Sequence, residues 1–142
     1  MRQAALWIAI LLLLSLRGGP AFAYADHLES QEGEQWTQVG KASYYSSRLH
    51  GRRTASGEPY DETALTAAHP TLPFGTLIKV TNLYNDRSVV LRVNDRGPFV
   101  GHRVIDVSQI AAEQLGMIRT GSVRVRVEYY NDEDEAEEQS VD

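Results

Sequence analysis

Strict alternation across Ser122–Tyr129 constrains this sequence more than any other feature. Val123, Val125 and Val127 fall on one side of an extended chain and Arg124, Arg126 and Glu128 on the other, a period of two that no helix reproduces. Such a strand has one dry face and one wet face. Further β-branched runs at Val39–Tyr45, Thr76–Leu83, Ser88–Asn94 and Val104–Val107 also read as strands. Asn85-Asp86 stands between the second and third of these, so a hairpin with a loop of a few residues is expected there. One stretch breaks the pattern: Ser108 can cap a helix, Ile110, Ala111 and Leu115 give it an apolar stripe, and Gly116 can end it. Under three turns long, that helix is marginal alone and must dock on the sheet. About six short strands and one helix therefore imply a small closed barrel, because closure removes exposed strand edges.

The chain holds 142 residues and no cysteine. That excludes a disulfide framework, a thiolate metal site, a cysteine nucleophile and a lipid-modified cysteine. Residues 1–23 read as a secretory signal peptide: Arg2, an apolar stretch from Ala4 to Leu16, a Gly18-Gly19-Pro20 break, then Ala21-Phe22-Ala23 before the cut. The stretch is too short for the ~20 residues of a bilayer-spanning helix, so no membrane span is expected after cleavage. Residues 24–35 carry four acids and 131–142 seven, with no Lys or Arg in either. Both segments are expected to be solvated, flexible tails around a globular domain at 36–130. That domain has 12 basic and 8 acidic side chains. Such a mild excess suits an anionic wall polymer and is too small to argue for nucleic acid.

Two clusters can carry chemistry. Glu58, Asp61 and His69 lie within a dozen residues, ahead of the turn Pro73-Phe74-Gly75, and Asp95 ends a strand beside Arg96 and Gly97. A rigid scaffold can aim an acid at a strand end into a groove. Spacing alone leaves other roles open: Asp61 as the cap of a turn, Asp95 as a turn acid paired with Arg96, His69 as a satisfied rim histidine.

The run Gly40-Lys-Ala-Ser-Tyr-Tyr45, with His50–Asp61, Ala64–His69, Leu72–Thr76, Val80–Leu83, Val93-Asn-Asp-Arg-Gly-Pro-Phe99 and Ile105–Ser108, resembles the rare lipoprotein A family. The resemblance covers about residues 38–129. It implies a mainly β fold, a six-stranded double-psi β-barrel with one or two short helices, related to barwin, expansins and family 45 endoglucanases. It also implies an endolytic lytic transglycosylase that cleaves MurNAc–GlcNAc bonds of peptide-poor peptidoglycan glycan and leaves 1,6-anhydro-MurNAc. Asp61 and His69 match the family's catalytic pair, Glu58 an accompanying acid, and Asp95 the acid of its Asn-Asp-Arg-Gly-Pro motif.

The chemistry suits these residue types. The leaving oxygen must be protonated while positive charge grows at C1. The sugar's own C6 hydroxyl then closes on C1, so one group that gives and later retakes a proton serves both steps. Asp61 is assigned that role, with a pKa expected to be raised by burial or by Glu58 or Asp95. His69 is expected to orient Asp61, to hydrogen-bond the sugar, or to move the proton itself. Tyr44, Tyr45, Tyr60 and Phe99 are candidate substrate-binding aromatics. Arg96 is a candidate partner for Asp95 or for a substrate carboxylate, whereas Arg52 and Arg53 read as a solvated pair. No cofactor is expected, and His50, His69 and His102 lack paired metal-ligand spacing.

Many family members add a lipid-modified cysteine and a C-terminal SPOR repeat, and this sequence has neither. A periplasmic or secreted protein, not lipid-anchored through cysteine, is therefore expected. Two other classes compete: an expansin-like wall-binding or wall-loosening module, and a hydrolase of plant-type β-glucan that would need two carboxylates across its groove.

Overall fold

The computed structural model describes residues 36–132. Six strands in this range close into a barrel: β1 (Thr37–Tyr44), β2 (Thr66–Ala68), β3 (Leu77–Asn82), β4 (Ser88–Asp95), β5 (Arg103–Val107) and β6 (Ser122–Tyr129). Around the barrel the order is β1-β5-β2-β4-β3-β6. The β1–β5 and β2–β4 pairs are parallel and the remaining pairs antiparallel. The signal-peptide and acidic-segment readings at 1–23 and 24–35, and nearly all of 131–142, lie outside the described residues.

Five strands stand where alternation and β-branching put them. The expected hairpin joins β3 to β4, with Asp86 at φ 59° in its turn. Inward side chains of five strands fill the barrel: Ala42, Ile78, Val80, Leu91, Val93, Ile105, Val107, Val125 and Val127 are buried together. Gly40 is required on β1, because a Cβ there would collide with the Val104 side chain on β5. The strand that the pattern did not reveal is β2. Its Thr-Ala-Ala sequence is only three residues long and carries little strand propensity of its own. Its partners β4 and β5 on either side make it a strand.

Helix α1 (Gln109–Gln114) docks through buried Ala111 and Ala112, and Gly116 terminates it at φ 68°. Its N-terminus departs from expectation. Ser108 has the extended cap backbone, but its hydroxyl makes no capping bond and is buried without a partner. The loop before β2 satisfies the helix instead: Gln109 N–H donates to Tyr60 Oη and Ile110 N–H to the Glu62 carbonyl. Helix α1 thus braces the segment that carries the candidate acids.

Candidate functional site

Segment 51–62 folds back on itself to build one wall of the site. Gly51 N–H donates to the Tyr60 carbonyl (2.8 Å), Tyr60 N–H to Arg52 (2.7 Å) and Thr54 N–H to Glu58 (2.8 Å). Gly57 sits near the tip at φ 94°, a conformation that favours glycine. The tip is tied to the end of β4 by Ser56 N–H on the Asn94 carbonyl and Ala55 N–H on the Asp95 carboxylate.

An open groove of about 400 Å³ runs beside this wall, lined in part by Glu58, Asp61, Thr66, Arg92 and Asn94. Arg92 closes on Glu58 through two N–H···O bonds of 2.7 and 2.8 Å, which hold the Glu58 carboxyl below the usual carboxylate range. Asp61 is exposed. Its Oδ1 accepts from Thr63 N–H (2.8 Å) and from the Thr63 hydroxyl (2.7 Å), while its Oδ2 has no hydrogen-bond partner among the described residues. The Thr63 bonds hold the Asp61 pKa low. This corrects the expected upward shift: the carboxyl is not buried, and the charge of Glu58 is taken up by Arg92.

A smaller pocket of about 160 Å³ lies on the other side of the same segment, lined in part by Tyr45, Tyr60 and Asp95. Asp95 is held from three directions. Tyr45 Oη donates to Oδ2 (2.5 Å), and the N–H groups of Ala55 and Arg96 donate to Oδ1 (both 2.8 Å). Burial and the adjacent Asp95 carboxylate push the Tyr45 phenol well above its ordinary pKa, so it stays a donor. Tyr45 and Tyr60 rings pack with centroids 4.5 Å apart.

The structure does not join His69 to Asp61 by a hydrogen bond, contrary to the expected orienting role, and His69 does not line the Asp61 groove. His69 is 2% exposed. Its Nδ1 accepts from the N–H groups of Thr71 (3.2 Å) and Leu72 (3.1 Å), so Nε2 carries the proton and donates to Gln38 Oε1 (2.8 Å). Trp36 meets the ring edge-on. Burial and the Arg96 charge lower the His69 pKa and keep it neutral. It organises the turn after β2.

The other expected binders divide. Tyr44 donates its hydroxyl to the Ile118 carbonyl and packs on the core. Arg96 meets Asp95 only through its backbone N–H; its guanidinium bonds the Leu72 and His69 carbonyls and lies 4.0 Å over the Phe74 ring. Phe99 is exposed and lines neither the groove nor the pocket. Among the described residues no three His, Asp or Glu side chains converge as a metal site would require. Sequence reasoning passed over Arg92 and Thr63. Arg92 falls on the outward-facing phase of β4, and Thr63 stands two residues after Asp61, the spacing of an Asx turn.

Strand order and paired parallel strands define the chain as a double-psi β-barrel. It is similar to the Streptomyces papain inhibitor (SPI), with TM-score 0.54 and 25% identity over 68% of this chain and 96% of that one. It is also similar to apo Clavibacter michiganensis expansin, with TM-score 0.54 and 22% identity over 68% of this chain and 52% of that one. The "Lytic transglycolase" family model matches residues 37–127, and the chain belongs to that family. Relatives named endolytic peptidoglycan transglycosylase RlpA include a Neisseria meningitidis protein, 53% identical over 66% of this chain and 39% of its own length. Another, from Campylobacter jejuni, is 55% identical over 65% of this chain and 34% of its own length. The chain thus spans well under half the length of these curated relatives.

Proposed function

We propose that this protein is an endolytic peptidoglycan lytic transglycosylase, exported by residues 1–23 and acting on wall glycan with Asp61 as its acid and base. The observation that carries the reading is the exposed Asp61 carboxyl, with one oxygen unpartnered, in an open groove beside the locked Glu58–Arg92 pair. The names of the relatives support the same chemistry.

In the free protein Asp61 is a carboxylate. A sugar seated in the groove displaces water from it, which favours the neutral form and raises its pKa toward the working range. Protonated Asp61 then donates to the glycosidic oxygen as the bond from C1 breaks. Glu58, kept ionised by Arg92, faces the positive charge that grows on the MurNAc ring. The C6 hydroxyl closes on C1, and the Asp61 carboxylate takes up the hydroxyl proton. No water attacks, so the product ends in 1,6-anhydro-MurNAc. His69 acts at a distance, by fixing the turn at 69–72, and Asp95 by holding segment 51–62 against β4.

The test is digestion of amidase-treated peptidoglycan with mass analysis of the fragments. Anhydro ends are expected, and Asp61→Asn is expected to lower their release about a thousandfold. Reducing ends would make the protein a hydrolase. Retention on the glycan with no release would make it a wall-binding module on the barrel it shares with expansins.

A further inference from the structure

A second open groove, of about 590 Å³, is lined by the β3–β4 hairpin at 82–85, the turn after α1 and the start of β6. Strand β4 runs from that hairpin to Asn94 in the Asp61 groove, so the two grooves stand about a strand's length, ~23 Å, apart. Leu83 and Val123 give the second groove an apolar lining, and Tyr84 beside them is 94% exposed. Its charge is one-sided. Residues 82–88 and 115–124 hold Arg87, Arg119 and Arg124 against the single acid Asp86, and the Arg87 guanidinium lies against Gly116 of the lining. Lys41 on β1 stands directly opposite Arg124 on β6, where like charges about 5 Å apart repel. Both cations are exposed and neither forms an ion pair among the described residues. Acids on adjoining strands are already engaged, Asp106 by Arg103 and Ser43 and Glu128 by Arg126. The repulsion is relieved by an anionic segment, and the groove beside it accepts an apolar side chain.

The chain supplies such a segment itself. Residues 131–142 carry seven acids, no Lys or Arg, and the apolar residue Val141. They follow Tyr130, whose N–H donates to the Leu77 carbonyl at the far end of β6 from the groove. From Tyr130 back to Arg124 is six strand residues, or ~20 Å. An extended chain that doubles back from Tyr130 covers ~23 Å by its seventh residue. That brings Glu137 and Glu138 level with Arg124 and Lys41, and Val141 onward to the groove. We propose that the acidic segment 131–142 folds back over the wet face of β6, sets Glu137 and Glu138 against the Lys41–Arg124 pair and seats Val141 between Leu83, Tyr84 and Val123. The segment then covers the basic end of the barrel and leaves the Asp61 groove open. This inference is independent of the glycan reading, since no residue of the Asp61 groove enters it.

Because the chain has no cysteine, S140C gives one attachment point for a nitroxide in the full-length protein. Paramagnetic broadening of the amides of Leu83, Tyr84, Thr120 and Val123 is expected at low salt. It is expected to fade as NaCl rises from about 20 mM to about 0.5 M, because the charges that hold the segment are exposed. The K41Q/R124Q double variant, which removes a repulsion and so leaves the barrel folded, is expected to abolish the broadening even at low salt. E137Q/E138Q is expected to do the same from the other side of the contact, and V141S to weaken it. Broadening confined to residues near Tyr130 would overturn the proposal, as would groove broadening that K41Q/R124Q leaves unchanged. A mixture of nitroxide-bearing protein without isotope and isotope-labelled protein without nitroxide is expected to show no broadening. Broadening there would mean that the segment of a second copy occupies the groove, and would also overturn the fold-back.

Discussion

Asp61 and Asp95 flank one folded segment and are the same chemical group, yet they are held in opposite ways. Two of the three donors to Asp95 come from far along the chain, Tyr45 after β1 and Ala55 at the loop tip, and the third is the N–H of the next residue, Arg96. Asp61 leans only on Thr63, two residues away, and keeps one oxygen unpartnered. A carboxylate fastened by distant segments serves as a clamp, because removing it would leave the donors from those segments without their acceptor. One fastened by its own turn can gain and lose a proton without disturbing the barrel. On the proposed function, catalysis and stability are thus divided between two acids that look alike in the sequence.

Identical substitutions should separate the two roles. Asp61→Asn is expected to abolish anhydro-product release, the thousandfold effect given above, with an unchanged melting transition. His69→Ala comes next: it removes a buried ring and leaves the Thr71 and Leu72 N–H groups without an acceptor, so a loss of about 3 kcal/mol is expected in urea titration. Lost turnover at unchanged stability would return His69 to direct chemistry. Asp95→Asn is expected to cost about 1 to 2 kcal/mol, with turnover kept within about tenfold. Abolished release at full stability would exchange the roles of the two acids.

The smallest effect concerns pH. The folded pKa of Asp61 is lowered, so its contribution to stability is complete above the unfolded carboxylate value of about 3.9 and disappears as pH falls through the lower folded value. Thr63→Val removes the hydroxyl bond and keeps the backbone one. The carboxyl midpoint, followed by carbon NMR, is expected to move up toward 3.9. An unmoved midpoint would mean that Thr63 does not set it.

Most of the barrel was legible because strand alternation is a local property. Val123, Val125 and Val127 face inward wherever β6 is placed, and the Asn85-Asp86 turn fixes one neighbour of β3. β2 was not legible, since Thr66-Ala67-Ala68 becomes a strand only between two others. Ser108 carried the right residue type for a cap, yet Tyr60 from far up the chain took part of that work. The candidate acids were found through their motif, but their partners were not. That Glu58 meets Arg92, and that His69 turns toward Gln38 and Trp36, depends on closure of the barrel. Charge state follows from those partners, which is why the direction of the Asp61 shift was misjudged.

Thr37, at the start of β1, lies opposite Glu128, at the end of β6. Opposed residues of antiparallel strands are about 5 Å apart. The polypeptide therefore comes in and goes out through neighbouring doorways, which makes the barrel suitable for splicing into a surface loop of an unrelated host. A host needs only a narrow gap to receive it, and the groove beside segment 51–62 would travel with the graft intact.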